Sequence, residues 1–251
     1  MPETTAPCLV EATDLSKVYR TDSVSTTALD RVTVTIEAGE FTTVVGPSGS
    51  GKTTLLNMVG ALDAPSSGEL TVLGRPMAAL SRKERADLRL HHIGFVFQDY
   101  NLMDVLSARE NVEFVLELQG VDRKKRRERA MTILDELGLA DLAGRRPTQL
   151  SGGQQQRVAV ARAVAAHPKL VLADEPTANL DGDNAESLID MMHKLRDERG
   201  MTFLFSTHDP RVIRHAARVI TLTDGRLTGD ERRPRPPENN AASQQKDRDH
   251  A

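Results

Sequence analysis

Residues 41–54, FTTVVGPSGSGKTT, decide the fold. Phe41 to Val45 is uncharged and rich in apolar and β-branched residues, the composition of a strand buried on both faces, and Thr54 to Ala61 has helical character. Between them Gly46, Gly51, Lys52 and Thr53 match the spacing G-x-x-x-x-G-K-[ST]. A strand that turns through such a loop into a helix aims a row of backbone amides at one point. Gly46, Pro47, Ser48, Gly49, Ser50, Gly51, Lys52, Thr53 and Thr54 are therefore the candidates for wrapping the phosphates of a nucleotide. Lys52 is expected on the outer phosphates and the Thr53 hydroxyl on Mg²⁺.

Outward from this loop the chain alternates strand and helix. Val32, Val34 and Ile36 alternate with Thr33 and Thr35, which reads as a half-buried strand, and Leu9 to Tyr19 is expected to pair with it. Ile93 to Phe97, Leu170 to Ala173 and Thr202 to Phe205 are further short buried strands with helical segments between most of them, so a mainly parallel α/β sheet is predicted. The middle differs: Ser107 to Glu110 forms a capping box, and Val121 to Leu137 and Gln154 to Ala166 read as helices, which together predict a helical subdomain. Asp209 followed by Pro210 starts a helix just beyond the strand ending near Ser206.

The strand Leu170 to Ala173 runs into Asp174-Glu175, so two acids emerge at the sheet edge where the phosphate loop also opens, alternation sending them to opposite faces. Nucleotide hydrolysis needs one acid that holds Mg²⁺ and one that orients or deprotonates the attacking water. Asp174 is assigned to the metal and Glu175 to the water.

Composition sets the bounds. The chain has 251 residues, and 33 basic against 36 acidic side chains leave a net charge of −3, so any polyanion site must be local. Hydrophobic residues at 39% and charged residues at 27% fit one folded domain with a core of ordinary size and exclude fibrous or wholly disordered classes. Cys8 is the only cysteine, which excludes an intrachain disulfide and a thiolate-rich zinc site and favours a reducing cytosol. The start, MPETTAPCLV, carries an acid and no base before its short apolar stretch, unlike a secretory signal, and predicts a chain that is not exported. The longest uncharged apolar-leaning run, Phe41 to Gly51, is too short to span a bilayer, so any membrane span would come from another chain. From Glu231 onward prolines and charges replace apolar side chains, which predicts a disordered tail.

Leu150-Ser151-Gly152-Gly153-Gln154, followed by Gln155-Gln156-Arg157, resembles the signature motif of ABC-type ATPases. Read from the residues alone, Ser151 and Gln154 form a capping box with two glycines between, a helix start that presents amides and a hydroxyl as an anion site. The resemblance runs from about Leu9 to Gly229. It implies a P-loop NTPase core of ABC type with an N-terminal antiparallel β subdomain and an inserted helical subdomain at about 100–165, flanked by an arm at 1–8 and a tail at 230–251. It also implies ATP and Mg²⁺ as ligands. Tyr19 lies where the family stacks adenine, and Gln98 where a glutamine senses Mg²⁺ and water and relays to the transport partner. Asn179-Leu180-Asp181 resembles the loop that crosses the dimer interface, and His208 the histidine that contacts the γ-phosphate. The family further implies a homodimer in which Ser151, Gly152, Gly153 and Gln154 of one protomer close over ATP held by the partner's loop.

A closer resemblance, carried by GALDAPSSGEL (60–70) and HIGFVFQDYNLMDVLSARENV (92–112), is to the subgroup serving lipoprotein release and macrolide or peptide efflux. Asp104 stands where that subgroup usually has proline, and Ala178 and Gly182 depart from its usual residues. The expected role is an ATP-hydrolysing subunit, peripheral on the cytoplasmic face of the membrane, that drives a separate permease. The alternative is a soluble ABC-type ATPase acting on nucleic acid or the ribosome. Arg123 to Arg129, with six bases, would suit nucleic acid but reads first as a solvated helix face. The roughly 100 positions between Thr53 and Ser151 hold no sustained heptads, and nucleic acid is not expected as a partner.

Overall fold

The computed structural model describes residues 6–20 and 25–233. Strands β1 (Cys8–Arg20) and β2 (Ser25–Glu37) pair antiparallel, as the alternation at Val32, Val34 and Ile36 predicts. β3 (Phe41–Val45) leads through the glycine-rich loop into α1 (Lys52–Val59). β4 (Ser67–Val72), β5 (Arg75–Pro76) and α2 (Arg82–His92) follow. After β6 (Ile93–Val96) the chain builds α3 (Ala108–Leu118), α4 (Arg123–Glu136) and α5 (Gly152–Val164) before the next strand. β7 (Leu170–Asp174), α6 (Gly182–Arg199), β8 (Thr202–Ser206), α7 (Pro210–His215), β9 (Arg218–Thr223) and β10 (Arg226–Arg232) complete the described chain.

Two sheets result. The first has the order β2-β1-β4-β5 and is antiparallel; the second has the order β10-β9-β3-β8-β7-β6 and is parallel except for the β9–β10 pair. Phe41 joins a core containing α3, α4, α5 and α6, whereas Val44 joins the core beneath the antiparallel sheet and α1. β3 is thus covered on both sides, which is why its sequence is a continuous uncharged run rather than an alternating one. Sequence reasoning named neither β4, β5, α2 nor the β9–β10 hairpin. β10 reads RLTGDER, a charged and mostly exposed edge whose pattern carries no buried face.

The helices start where their caps direct. Ser107 N–H donates to Glu110 Oε2 at 2.8 Å while Glu110 N–H donates to Ser107 Oγ at 3.3 Å, and Ser151 and Gln154 repeat the exchange at the head of α5. Asp209 caps α7 through Arg211 N–H, with Pro210 in the first turn.

Arg218, buried at the start of β9, fastens the two sheets together. Its guanidinium donates to the Thr35 carbonyl at 2.7 Å, to both Glu40 oxygens at 3.1 Å, and to both Asp230 oxygens at 2.8 and 2.7 Å. Arg232 adds an ion pair to Glu37 at 2.9 Å. These pairs correct the expected tail boundary: residues 230–232 close a strand, because Asp230 and Arg232 find charged partners across the fold that a local reading cannot see. The rest of the expected tail, 234–251, lies outside the described residues.

Hydrogen bonds from Arg218 hold the Asp230 carboxyl below its ordinary range despite partial burial. A depressed carboxyl stabilises the fold above its unfolded value near pH 4 and loses that contribution as pH falls through its folded value. Asp230→Asn should cost about 1–2 kcal/mol near neutrality, discounted for the carboxylate's exposure. Thermal melts from pH 7 down to pH 3 should show the variant and the parent converging at the acid end.

Candidate active site

The C-terminal ends of β3, β7 and β8 open on one side of the parallel sheet, and a cavity of about 640 Å³ lies there. It is lined by the loop from Gly46 to Thr54, the buried Ser50 excepted, together with Gln98, Asp174, Glu175, Ser206 and His208. The loop backbone admits few substitutions. Gly46 has φ 152°, and a Cβ there would collide with the Leu222 carbonyl oxygen and Ser50 Oγ; Gly51, which caps α1 with φ 102°, would meet the Ala28 carbonyl and Leu29. Backbone carbonyls thus close the outer side of the loop, and both positions require glycine. Lys52 Nζ donates to the Gly46 and Pro47 carbonyls at 2.9 and 3.0 Å, which keeps the ammonium folded over the loop.

β8 separates β3 from β7, so the residues after those strands meet only across it. Thr53 Oγ1 donates to Asp174 Oδ2 at 3.0 Å, joining the hydroxyl and the carboxylate that the sequence assigns to Mg²⁺. Among the described residues no three His, Cys, Asp or Glu side chains form a metal-binding group. One hydroxyl and one carboxylate nevertheless fit Mg²⁺, which keeps several waters and takes its remaining oxygens from substrate phosphates. The buried Ser206 Oγ beside the cavity has no hydrogen-bond partner among the described residues.

Glu175 is aimed by its backbone. Its φ of 47° is left-handed, so the strand alternation expected for Asp174 and Glu175 ends at Asp174 and a turn directs the second acid. The Glu175 N–H donates to the Ser206 carbonyl at 2.7 Å, Thr207 Oγ1 donates to Glu175 Oε2 at 3.0 Å, and His208 Nδ1 lies 2.8 Å from Glu175 Oε1. The acid and the histidine, 33 residues apart, therefore form one unit.

Other expected residues are elsewhere. Ser151, Gly152, Gly153 and Gln154 at the head of α5, and Asp181 at the head of α6, do not line this cavity. The Asn184 N–H and side-chain amide bond Asp181 and hold its carboxyl below the usual range. Tyr19 also lies off the cavity lining: its hydroxyl donates to Asp63 at 2.9 Å, Lys17 Nζ sits 4.9 Å from the ring centroid, and the ring is exposed.

Thr207 and Thr177 carry no signal in the sequence, yet Thr207 orients Glu175 and Thr177 Oγ1 donates to Asp209 Oδ2 at 2.8 Å; Gln156, from the signature stretch, donates through Nε2 to the Pro176 carbonyl at 2.8 Å. Burial raises the Asp209 carboxyl, but hydrogen bonds from Arg211 and Thr177 outweigh it and leave the group lowered. The flanking motifs mark these neighbourhoods, but nothing in residue type marks which neighbour takes which bond.

Comparisons with known proteins agree with this geometry. The ABC transporter family model matches residues 29–178. The chain is 45% identical over 226 residues to the macrolide export ATP-binding/permease protein MacB of Burkholderia pseudomallei, which covers 90% of this chain and 34% of that protein. It thus spans about a third of those relatives. It is 42% identical over 219 residues to the ABC transporter ATP-binding protein MJ1508 of Methanocaldococcus jannaschii, covering 87% of this chain and 97% of that one. Among solved structures, the ATP-binding cassette MJ0796, in a dimeric post-hydrolysis state bound to ADP and Pi, superposes with a TM-score of 0.84 at 40% identity, covering 89% of this chain and 98% of that one. With the phosphate loop, the paired acids and the signature helix start all in place, the chain belongs to the ABC transporter family and carries its ATP-binding ATPase cassette.

Proposed function

We propose that two copies of this chain sandwich ATP head to tail and use its hydrolysis to drive a membrane permease. The observation that carries the sandwich is a division of labour. Lys52, Thr53, Asp174, Glu175 and His208 gather in one cavity, while the capped SGGQ helix start stands outside it, its Ser151 hydroxyl accepting from Gln154 and keeping its own proton to donate. A partner's triphosphate suits that second half-site. The MJ0796 cassette, dimeric in two solved structures, supports dimerisation.

In the chemical step Glu175, fixed by Thr207 and His208, accepts a proton from water as the water oxygen bonds to the γ-phosphorus and the bond to the bridging oxygen breaks, releasing ADP and phosphate. Lys52 balances charge on the outer oxygens, and Ser151 of the partner subunit does so from the opposite side. Mg²⁺, when bound by Thr53 and Asp174, would neutralise the phosphate oxygens. Gln98 lines the same cavity from the end of β6 and is exposed, a position suited to sensing the occupant. Tyr19 offers its exposed ring to the adenine base.

The permease reading rests on the surface that follows Gln98. Met103, Val105 and Leu118 are exposed, Val105 to 76%, on the loop before α3 and at its end. That loop is preformed: buried Asn111 accepts from the Met103 N–H at 2.8 Å and donates to the carbonyls of Met103, Leu106 and Ser107. An ordered loop with apolar side chains in solvent suits a protein partner. Among the described residues no helix is long and apolar enough to cross a membrane. In the proposed assembly the permease contributes the span and this chain sits on the cytoplasmic face. The relatives named macrolide export ATP-binding/permease protein MacB support export, and of the proposed substrate classes, a lipophilic substrate, peptide or lipoprotein, their name favours the first. The bases of α4 do not favour nucleic acid: Arg126 is spent on Glu113 and Glu117, and the others lie along an exposed helix face.

Glu175→Gln should bind ATP, remain dimeric in its presence and lose about 10²–10⁴-fold in turnover. Gel filtration with and without ATP, alongside a phosphate-release assay, checks this; undiminished turnover would remove Glu175 from its role. Asp174→Asn should raise the Mg²⁺ concentration needed for half-maximal hydrolysis at least tenfold, read by titrating Mg²⁺ at fixed ATP. Val105→Glu should abolish co-purification of an integral membrane protein from detergent extracts while ATP binding persists. Recovery of ribosomes or DNA with the parent chain would instead argue for the alternative.

A further inference from the structure

An exposed ring near the end of β1 is held from two directions. Lys17 and Tyr19 are two residues apart on the strand, so alternation puts both side chains on one face. Lys17 Nζ lies over the Tyr19 ring, 4.9 Å from its centroid, and donates to Asp63 Oδ1 at 2.6 Å and to the Ala64 carbonyl at 2.8 Å. The Tyr19 hydroxyl donates to Asp63 Oδ2 at 2.9 Å. Asp63 Oδ1 also accepts from the Ala64 N–H at 2.7 Å, so both carboxylate oxygens are occupied. The Lys17 side chain is 12% exposed, whereas Tyr19 is 42% exposed.

The support for this ring comes from α1. Asp63 follows that helix, and the N–H groups of Leu62 and Asp63 both donate to the Asn57 carbonyl, at 2.9 and 3.2 Å. The segment is then strapped to β1: the Ser66 N–H donates to the Ser16 carbonyl at 2.9 Å, and the Val18 N–H to Ser66 Oγ at 3.0 Å. Because α1 begins at Lys52 and Thr53, one helix carries the phosphate loop at its head and, just past its end, the carboxylate that holds the ring. Burial raises the Asp63 carboxyl, but hydrogen bonds from Lys17, Ala64 and Tyr19 outweigh it and leave the group lowered. The carboxylate is therefore charged at neutral pH and keeps its grip on both side chains.

We infer that Asp63 and Lys17 are positioning residues for the nucleobase: they fix the Tyr19 ring, by its hydroxyl and by an ammonium against one face, and leave its exposed surface to the base. This rests on the reading above that Tyr19 is offered to adenine. A ring left free would lose rotamer freedom each time a base stacked on it, and a ring fixed beforehand avoids that cost. The ammonium adds its own attraction for the ring it covers. Asp63, with both oxygens committed, holds the ring rather than reading the edge of the base.

The test uses the whole chain and measures hydrolysis against ATP concentration for the parent, Tyr19→Phe, Lys17→Met and Tyr19→Ala, with thermal melts of each. Tyr19→Phe keeps the stacking ring and removes only the hydroxyl that Asp63 holds. It and Lys17→Met should each raise KM for ATP about 2–10-fold while kcat stays at the parent's value. Inhibition by inorganic tripolyphosphate, which has no base, should remain as in the parent. A purely structural role would instead lower kcat or the melting temperature of Tyr19→Phe, or weaken tripolyphosphate and ATP alike, and either result would overturn the inference. A parent-like KM in Tyr19→Phe would overturn it too, and that variant decides alone if Lys17→Met loses stability with its ion pair. Tyr19→Ala separates the two layers: its KM should rise about tenfold or more as the stack is lost. A parent-like KM there would remove the base reading itself, whereas a raised KM beside parent-like Tyr19→Phe and Lys17→Met would remove only the positioning.

Discussion

The contact between the Thr53 hydroxyl and the Asp174 carboxylate, made across an intervening strand, is the constraint on which the site depends. It exists because β3, β8 and β7 run parallel and release their chains at the same edge. Parallel strands need covered crossovers, and the helices that provide them bury β3 on both faces. The uncharged run Phe41 to Val45 and the placement of the acids thus have one cause. If β7 were displaced by one strand position, its acids would lie about 5 Å farther from the loop, too far for a shared cation.

Around that contact the fold sorts rigid parts from adjustable ones. The glycine-rich loop is locked from outside by the Leu222 and Ala28 carbonyls, and Glu175 is locked by a left-handed turn and three neighbours. The head of the signature helix, by contrast, is exposed at Ser151 and held by its own capping exchange with Gln154, while the helix beyond it is packed into the core. The same distinction separates the buried Arg218 cluster, which fastens the sheets, from the exposed His208, whose Nδ1 lies 2.8 Å from Glu175 Oε1.

Much of this was legible beforehand. The loop, the Asp-Glu pair and the SGGQ start are local patterns in which backbone geometry and chemistry require particular residues at fixed spacing, and the capping boxes at Ser107 and Ser151 formed as written. The hairpin β9–β10 was not legible, because its charged side chains are chosen for partners such as Thr35, Glu37 and Glu40 from the other end of the chain. Arg162 is a similar case. Its position on α5 gives no sign that its guanidinium serves Tyr100 and Asn101, some sixty residues earlier.

By itself the sequence determined the nucleotide-binding elements: a glycine-rich turn between a buried strand and a helix, two acids at a strand end and the SGGQ start are local patterns, each complete within a few residues. Tertiary structure alone decided which strand stands between them, which direction Glu175 faces, and that the signature residues lie outside their own cavity. The reason is that strand order and left-handed turns are set by the packing of distant segments, for which local residue patterns carry no information.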